Sequence, residues 1–186
     1  HPLSAQLADA ASSSLLGGVP MAWMTRWPGK FPLFFETASG ARLTDADGHD
    51  YVDFCLGDTG AMTGHALPSV AEALYRQASR GITTMLPTAD ATWVGEELVR
   101  RFALPIWQMA MTATDANRFV LRFARHLTGR PKVLVFDWCY HGTVDEALAT
   151  LDSDGNTRAR VGSIAPMVDP QQTTVVVPFN DLTALE

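Results

Sequence analysis

Two short runs carry residue types and spacings suited to chemistry. Thr112, Ala113, Thr114 and Asp115 stand between an apolar stretch, "IWQMAM" (106–111), and an amphipathic one, "ANRFVLRFAR". Small and hydroxylated residues at the start of a helix leave backbone N–H groups and the positive end of the dipole open, and phosphate is the ligand they suit. Two threonine hydroxyls add donors, and Ala113 lets a ligand approach the backbone closely. The second run, Cys139-Tyr140-His141-Gly142-Thr143, follows another apolar stretch, "KVLVFDW" (132–138). Tyr140 and His141 offer an aromatic face and an imidazole, so the two runs together suit a flat aromatic cofactor with a phosphate arm. The same residues also admit plain roles: capping by Thr112 or Thr114, and a packed Tyr140 beside a solvent-facing His141.

The elements that must position these runs are predicted from hydrophobic period. Ala116, Phe119, Val120, Phe123 and Leu127 follow helical spacing and predict a buried stripe, with Arg118, Arg122 and Arg125 turned away from it. "IWQMAM", "KVLVFDW" and "TTVVVPF" predict continuous apolar strands of a parallel sheet, the first two as neighbours, with helices on both faces. Ligands of such sheets gather at the carboxyl ends of the strands, where both runs fall. "SVAEALYRQASRG" predicts a helix capped by Ser69 and stopped at Gly81. "TADATWVGEELVRRF" predicts another, with Val94, Leu98 and Phe102 on one face.

Upstream, residues 31–57 predict an antiparallel meander of three short strands, turning at Ser39-Gly40 and Asp47-Gly48. Residues 1–16 predict a short helix or arm. The pattern changes near 64–68, so we divide the chain into an arm and meander (1–66) and the beginning of an α/β domain (67–186). Asn180 or Asp181 caps a helix that has barely begun at Glu186, which reads as the amino-terminal portion of a longer protein.

Composition excludes several function classes. The net charge is −6 and the basic residues form no run or face, against nucleic acid or anionic membrane as partner. No apolar run approaches the roughly 18 residues of a spanning helix. "HPLSAQLADAASSS" has neither a basic leader nor an apolar signal core. Two distant cysteines, Cys55 and Cys139, fit a reduced cytoplasmic protein. "DADGHDYVD" imitates a calcium loop, but Gly48 is misplaced and Leu56 stands where the bidentate Glu belongs, so it is a hairpin turn. His49, His65 and His126 are too dispersed for a metal site, and none is predicted. Cys139 beside His141 is a poor thiol nucleophile, because sequence neighbours seldom face each other in that role.

The run "TATDANRFVLRFARHLTGRPKVLVFDWCYHG" resembles the Ser-Gly-Thr-Glu-Ala…Thr-Gly-Arg…Tyr-His-Gly block of class III aminotransferases, within them the glutamate-1-semialdehyde aminomutase-like branch. "GGVP", "GARLTDADGHDYVDFCLGDTGAMTGHALP" and "PTADATWVGEELVRRF" match the same family in the same order, and the likeness covers residues 17–150. It implies the three-layer α/β/α, aspartate aminotransferase-like fold of pyridoxal 5'-phosphate enzymes. It also implies a homodimer acting on a small amine or amino acid. By position, Thr112, Ala113 and Thr114 would hold the cofactor phosphate. Tyr140 would stack on the pyridine ring with His141 beside it. Asp58 and Thr59 would face the substrate, as would Trp23. Thr112-Ala113 replaces the usual Ser-Gly, which costs on the order of 1 kcal/mol if the turn needs positive φ. Relatives acting on carboxylates often carry an Arg after the Gly-Gly motif. Here Pro20, Met21, Ala22, Trp23 and Met24 stand there, with Arg26 the nearest cation, which suggests an apolar substrate side chain.

Pyridoxal enzymes need a Schiff-base lysine that also shuttles the proton. This chain has two lysines, Lys30 in a Pro-Gly-Lys turn and Lys132 at the start of a strand, and neither position fits. No catalytic residue is therefore assigned within the chain. The expected function is a transaminase or aminomutase whose lysine lies outside these residues. A truncated, non-catalytic relative serving as a folding or interaction module is the alternative, and a phosphate-binding α/β protein without pyridoxal chemistry is a third.

Overall fold

The computed structural model describes residues 1–186, which fall into two compact units, His1–Pro87 and Thr88–Glu186. The split lies beyond the change of sequence pattern at 66/67, so the first helix after that change groups with the first unit. No helix is long and apolar enough to cross a membrane.

The first unit opens with α1 (Pro2–Ser12) and two 3₁₀ turns at Leu16–Gly18 and Ala22–Arg26. The expected meander follows as β1 (Phe35–Ser39), β2 (Arg42–Asp45) and β3 (Asp50–Val52), antiparallel in that order. Its two turns use the glycines at 40 and 48 with φ of 57° and 84°, conformations open to Gly without a Cβ clash. The second turn does more than reverse the chain. Asp47 accepts the Leu3 and Ser4 amides at 2.7 and 2.9 Å and the Ser4 hydroxyl at 2.8 Å, which satisfies orphan donors at the start of α1. Helix α2 (Pro68–Ala78) is capped differently from expectation. Leu67 is its N-cap without a side-chain bond, and Pro68 opens the first turn, where a missing N–H costs nothing.

The second unit contains α3 (Ala89–Phe102), α4 (Ala113–Thr128), β4 (Val133–Phe136), β5 (Ala149–Leu151), β6 (Thr157–Ala159), α5 (Pro170–Thr173), β7 (Thr174–Val177) and α6 (Leu182–Leu185). Strands β4 and β7 pair in parallel from Val133↔Thr174 to Phe136↔Val177. Strands β5 and β6 form an antiparallel hairpin that the sequence reading did not foresee. Val135, Ala149 and Val176 form the core between them, with Val133, Cys139 and Leu151 against it. As expected, Asp181 caps α6 by accepting the Ala184 amide at 3.0 Å.

Three expectations fail. "IWQMAM" is not a strand: a strand exists only with a ladder partner, and β4 takes β7 instead. The stripe of α4 is not buried, with Val120, Phe123 and Leu127 at 60%, 65% and 81% exposure. In α3, Val94 and Phe102 are likewise exposed. Arg125 does not point away. Its guanidinium pairs with Glu146 and donates from Nε to the Pro131 carbonyl at 2.8 Å.

Burial alone would raise the Glu146 carboxyl, but the Arg125 hydrogen bond, a backbone hydrogen bond and the Arg125 and Arg118 charges together outweigh it and hold the group below its ordinary range. A depressed carboxylate stabilises the fold above the unfolded glutamate pKa of about 4.3 and loses that contribution as pH falls through the folded value. Glu146→Gln in the whole protein is expected to lower unfolding free energy by about 1–2 kcal/mol at neutral pH. The difference from wild type should shrink toward about pH 4. Urea denaturation at both pH values checks it; a pH-independent difference contradicts the ion pair.

Candidate functional site

The amino end of α4 is built by its own side chains. Thr112 is the N-cap: its hydroxyl accepts the Asp115 amide at 3.0 Å and donates to the Asp115 carboxylate at 2.8 Å. The Thr112 hydroxyl thus caps the helix and is itself held by the Asp115 side chain. Gly129 closes the other end at φ 68°, and Arg125 and His126 lie in the last turn, matching the dipole. After the N-cap, the amides of Ala113 and Thr114 have no partner in the chain. Both point out of the helix end, as orphan N–H groups do.

The second run is fastened onto this turn. Thr114 Oγ1 accepts the Thr143 amide at 3.0 Å, and Asn117 Nδ2 donates to the His141 carbonyl at 2.9 Å. Gly142 lies between them at φ 80°, and a Cβ there would overlap Thr114 Oγ1 and come within 2.9 Å of Thr114 Cα. Only glycine fits. Thr114 still has its hydroxyl hydrogen to donate, because Oγ1 acts as acceptor toward Thr143. The turn thus presents two amides and one hydroxyl, a donor set that fits a phosphate dianion. Ala113 has no positive φ, so the conditional cost of losing Gly there does not arise.

Tyr140 is 67% exposed, and His141 is exposed beside it. Their neighbour Trp138 adopts φ 62°, with the Arg160 guanidinium 5.6 Å from its ring centroid. Arg160 also donates to the Cys139 carbonyl at 2.6 Å. Burial pushes the Cys139 thiol up, against the Arg160 charge that pulls it down, so Cys139 packs under the turn as a thiol rather than a nucleophile. The Arg160 clasp escaped the sequence reading, because residues 139 and 160 are joined only through the unforeseen β5–β6 hairpin.

Asp58, Thr59 and Trp23 lie in the first unit. Asp58 and Thr59 belong to a run of four positive φ values, Leu56 53°, Gly57 59°, Asp58 53° and Thr59 77°. Three of the four residues carry a Cβ, at on the order of 1–2 kcal/mol each. Backbone strain of this kind gathers at functional loops. Asp53 anchors the loop: it accepts the Cys55 and Leu56 amides at 2.8 and 3.0 Å and pairs with His65 Nε2 at 2.6 Å. The His65 hydrogen bond, ahead of the backbone ones, holds the Asp53 carboxyl below its usual range. Trp23 is 64% exposed, its indole nitrogen donating to Met21 Sδ at 3.2 Å. The structure therefore brings Thr112, Ala113 and Thr114 together with the 140–143 turn, and Asp58 with Thr59 on one strained loop.

The close approach at Gly142 sets an expectation. Gly142→Ala in the whole protein should cost about 2 kcal/mol or more, from positive φ plus overlap. Adding Thr114→Ala should recover only part of that loss, because it removes the overlap with Oγ1 but leaves the approach to Thr114 Cα and the positive φ. Thermal melts of the two variants check this; additive losses contradict the packing.

The family model for class III aminotransferases matches residues 23–184. The chain is 34% identical over 184 residues to the glutamate-1-semialdehyde 2,1-aminomutase of Methanocella arvoryzae, covering 98% of this chain and 43% of that protein. It is 55% identical to a glutamate-1-semialdehyde aminomutase from Pseudomonas aeruginosa PAO1, with a TM-score of 0.94, covering 100% of this chain and 41% of that one. A lysine-to-alanine variant of that Pseudomonas protein, solved in complex with PMP, matches with the same identity, coverage and TM-score. The chain spans about two-fifths of the length of these relatives. It belongs to the class III aminotransferase family.

Proposed function

We propose that the protein carrying this chain is a pyridoxal-phosphate-dependent transaminase or aminomutase that moves the amino group of a small amine or amino acid. The observation that carries the reading is the Thr112–Asp115 turn, with two free amides and a free hydroxyl hydrogen at the end of a 16-residue helix. When bound, the cofactor supplies an electron sink for the carbon that bears the amine. Everything else here is work for the chain's own residues. Ala113 N–H, Thr114 N–H and the Thr114 hydroxyl would hold the phosphate, with Thr112 fixing the turn through Asp115. Tyr140 would cover one face of the pyridine ring and keep water from it, with His141 at its edge. Asp58, Thr59 and Trp23 would lie on the substrate side, where the apolar Met21–Met24 segment favours an apolar substituent over a carboxylate.

Neither lysine of this chain suits the amine chemistry. Lys30 sits beside Trp27 and Phe31 in the first unit, and Lys132 precedes β4 at the end away from Tyr140. The reading therefore assigns the reactive lysine to a part of the protein outside residues 1–186. The relatives are more than twice as long as this chain, which leaves room for it. It also takes the complete protein to be a cytoplasmic homodimer.

The test uses the whole protein with pyridoxal phosphate and a ¹⁵N-labelled amine. Label arriving on a second molecule identifies a transaminase, and label moving to another carbon of the same molecule identifies an aminomutase. Absence of both, across amino acids and simple amines, overturns the proposal. Thr114→Val is expected to weaken cofactor retention about tenfold, since one hydrogen bond to a charged group is worth roughly 1.5 kcal/mol. Tyr140→Ala should weaken it about fivefold, the scale of one lost aromatic stacking contact. Retention is read from the phosphorus content of dialysed protein, and unchanged content in both variants removes the residues from the site.

A further inference from the structure

Away from these residues, the start of α1 and the β2–β3 turn bring three metal-ligating side chains to one point. His1 Nδ1 lies 3.0 Å from Asp45 Oδ2, and His49 Nδ1 lies 3.3 Å from both oxygens of the same carboxylate. All three ligand atoms fall within 4.8 Å of one another. The two imidazoles meet edge to face, with ring centroids 4.6 Å apart. We propose that His1, Asp45 and His49 form a structural site for a divalent cation of the zinc class.

The count of hydrogen-bond partners favours a cation over a purely hydrogen-bonded clasp. Asp45 Oδ1 already accepts the Asp47 and His49 amides, both at 2.9 Å, and Oδ2 accepts the Tyr51 hydroxyl at 2.8 Å. With two ring nitrogens added, five donors address a carboxylate that has about four lone-pair positions. His49 Nδ1 is the surplus one, 3.3 Å from each of the two oxygens and shared between them. As a lone-pair donor to a metal it has a partner. Zinc bonds of about 2.0–2.1 Å in tetrahedral arrangement hold ligand atoms roughly 3.3–3.4 Å apart, close to the 3.0 and 3.3 Å between each imidazole nitrogen and the carboxylate. The amides and Tyr51 that fix the carboxylate are the outer-shell partners such sites have. His1 and His49 keep 37% and 55% of their side chains exposed, so water can fill the fourth position.

The fold delivers the ligands without help from the metal. Asp47, two residues from Asp45, caps α1 and so brings His1 to the turn. A bound ion would tie the first helix to the meander, joining residues 44 positions apart. It is the His1 ring that supplies the ligand.

Isothermal titration of the whole, tag-free, chelator-treated protein with zinc chloride is the test. One ion per chain at micromolar Kd or tighter is expected, weakened about tenfold or more in His1→Ala and in His49→Ala. His126→Ala, at the far end of α4, should leave that site unchanged. Zinc should also raise the melting temperature of wild type and not of the two ligand variants, whose exposed positions leave folding intact. No zinc binding by wild type, or binding that survives both ligand substitutions, overturns the proposal and leaves a hydrogen-bonded clasp.

Discussion

The contact between Thr114 and the Gly142–Thr143 backbone is what the candidate site depends on. It joins the first turn of α4 to the loop after β4, two segments whose side chains could each be explained without a ligand. Glycine at 142 makes the approach possible, and the Thr114 hydroxyl turns it into a directed bond to the Thr143 amide. Because that hydroxyl spends its lone pair there, its hydrogen and the two amides beside it stay available. The same bond fixes where Tyr140 and His141 leave the sheet.

Around this contact, the second unit is held more by polar anchors than by apolar volume. Its buried apolar residues are few and small: Val135, Val144, Ala147, Ala149, Val176 and Val177. Asp137 draws β5 in through Thr150 Oγ1 at 2.6 Å, and Thr174 Oγ1 donates to the Glu146 carbonyl at 2.9 Å. Arg125 and Glu146 tie α4 to the segment before β5. These bonds orient the strands and the helix within the second unit. The first unit uses the same device, with Asp45, Asp47 and Asp53 each organising a turn.

Local features were legible in the sequence because their causes are local. Thr112 or Thr114 and Asn180 or Asp181 marked two helix starts, the glycines at 40 and 48 the hairpin turns, and Thr112–Asp115 a donor-rich helix start. What failed depended on partners. "IWQMAM" has the composition of a strand, yet composition cannot supply a ladder neighbour. The period of Phe119, Val120, Phe123 and Leu127 revealed an amphipathic helix but not what, if anything, covers it. The β5–β6 hairpin left a signal in "DSDGN", where Asp152 accepts the Asp154 and Asn156 amides, but its strands are only three residues each and show no clear period. The clustering of His1 with Asp45 and His49 had no signal at all, because α1 carries His1 there only after Asp47 caps it.

The central claim is that the amino end of α4 grips a phosphate through its own backbone. A crystal structure of the whole protein with pyridoxal phosphate tests it most directly. The phosphate is expected within hydrogen-bond distance, about 2.7–3.2 Å, of the Ala113 and Thr114 amides, with the Tyr140 ring against the pyridine. A phosphate bound elsewhere, with those two amides still facing water, would contradict the account.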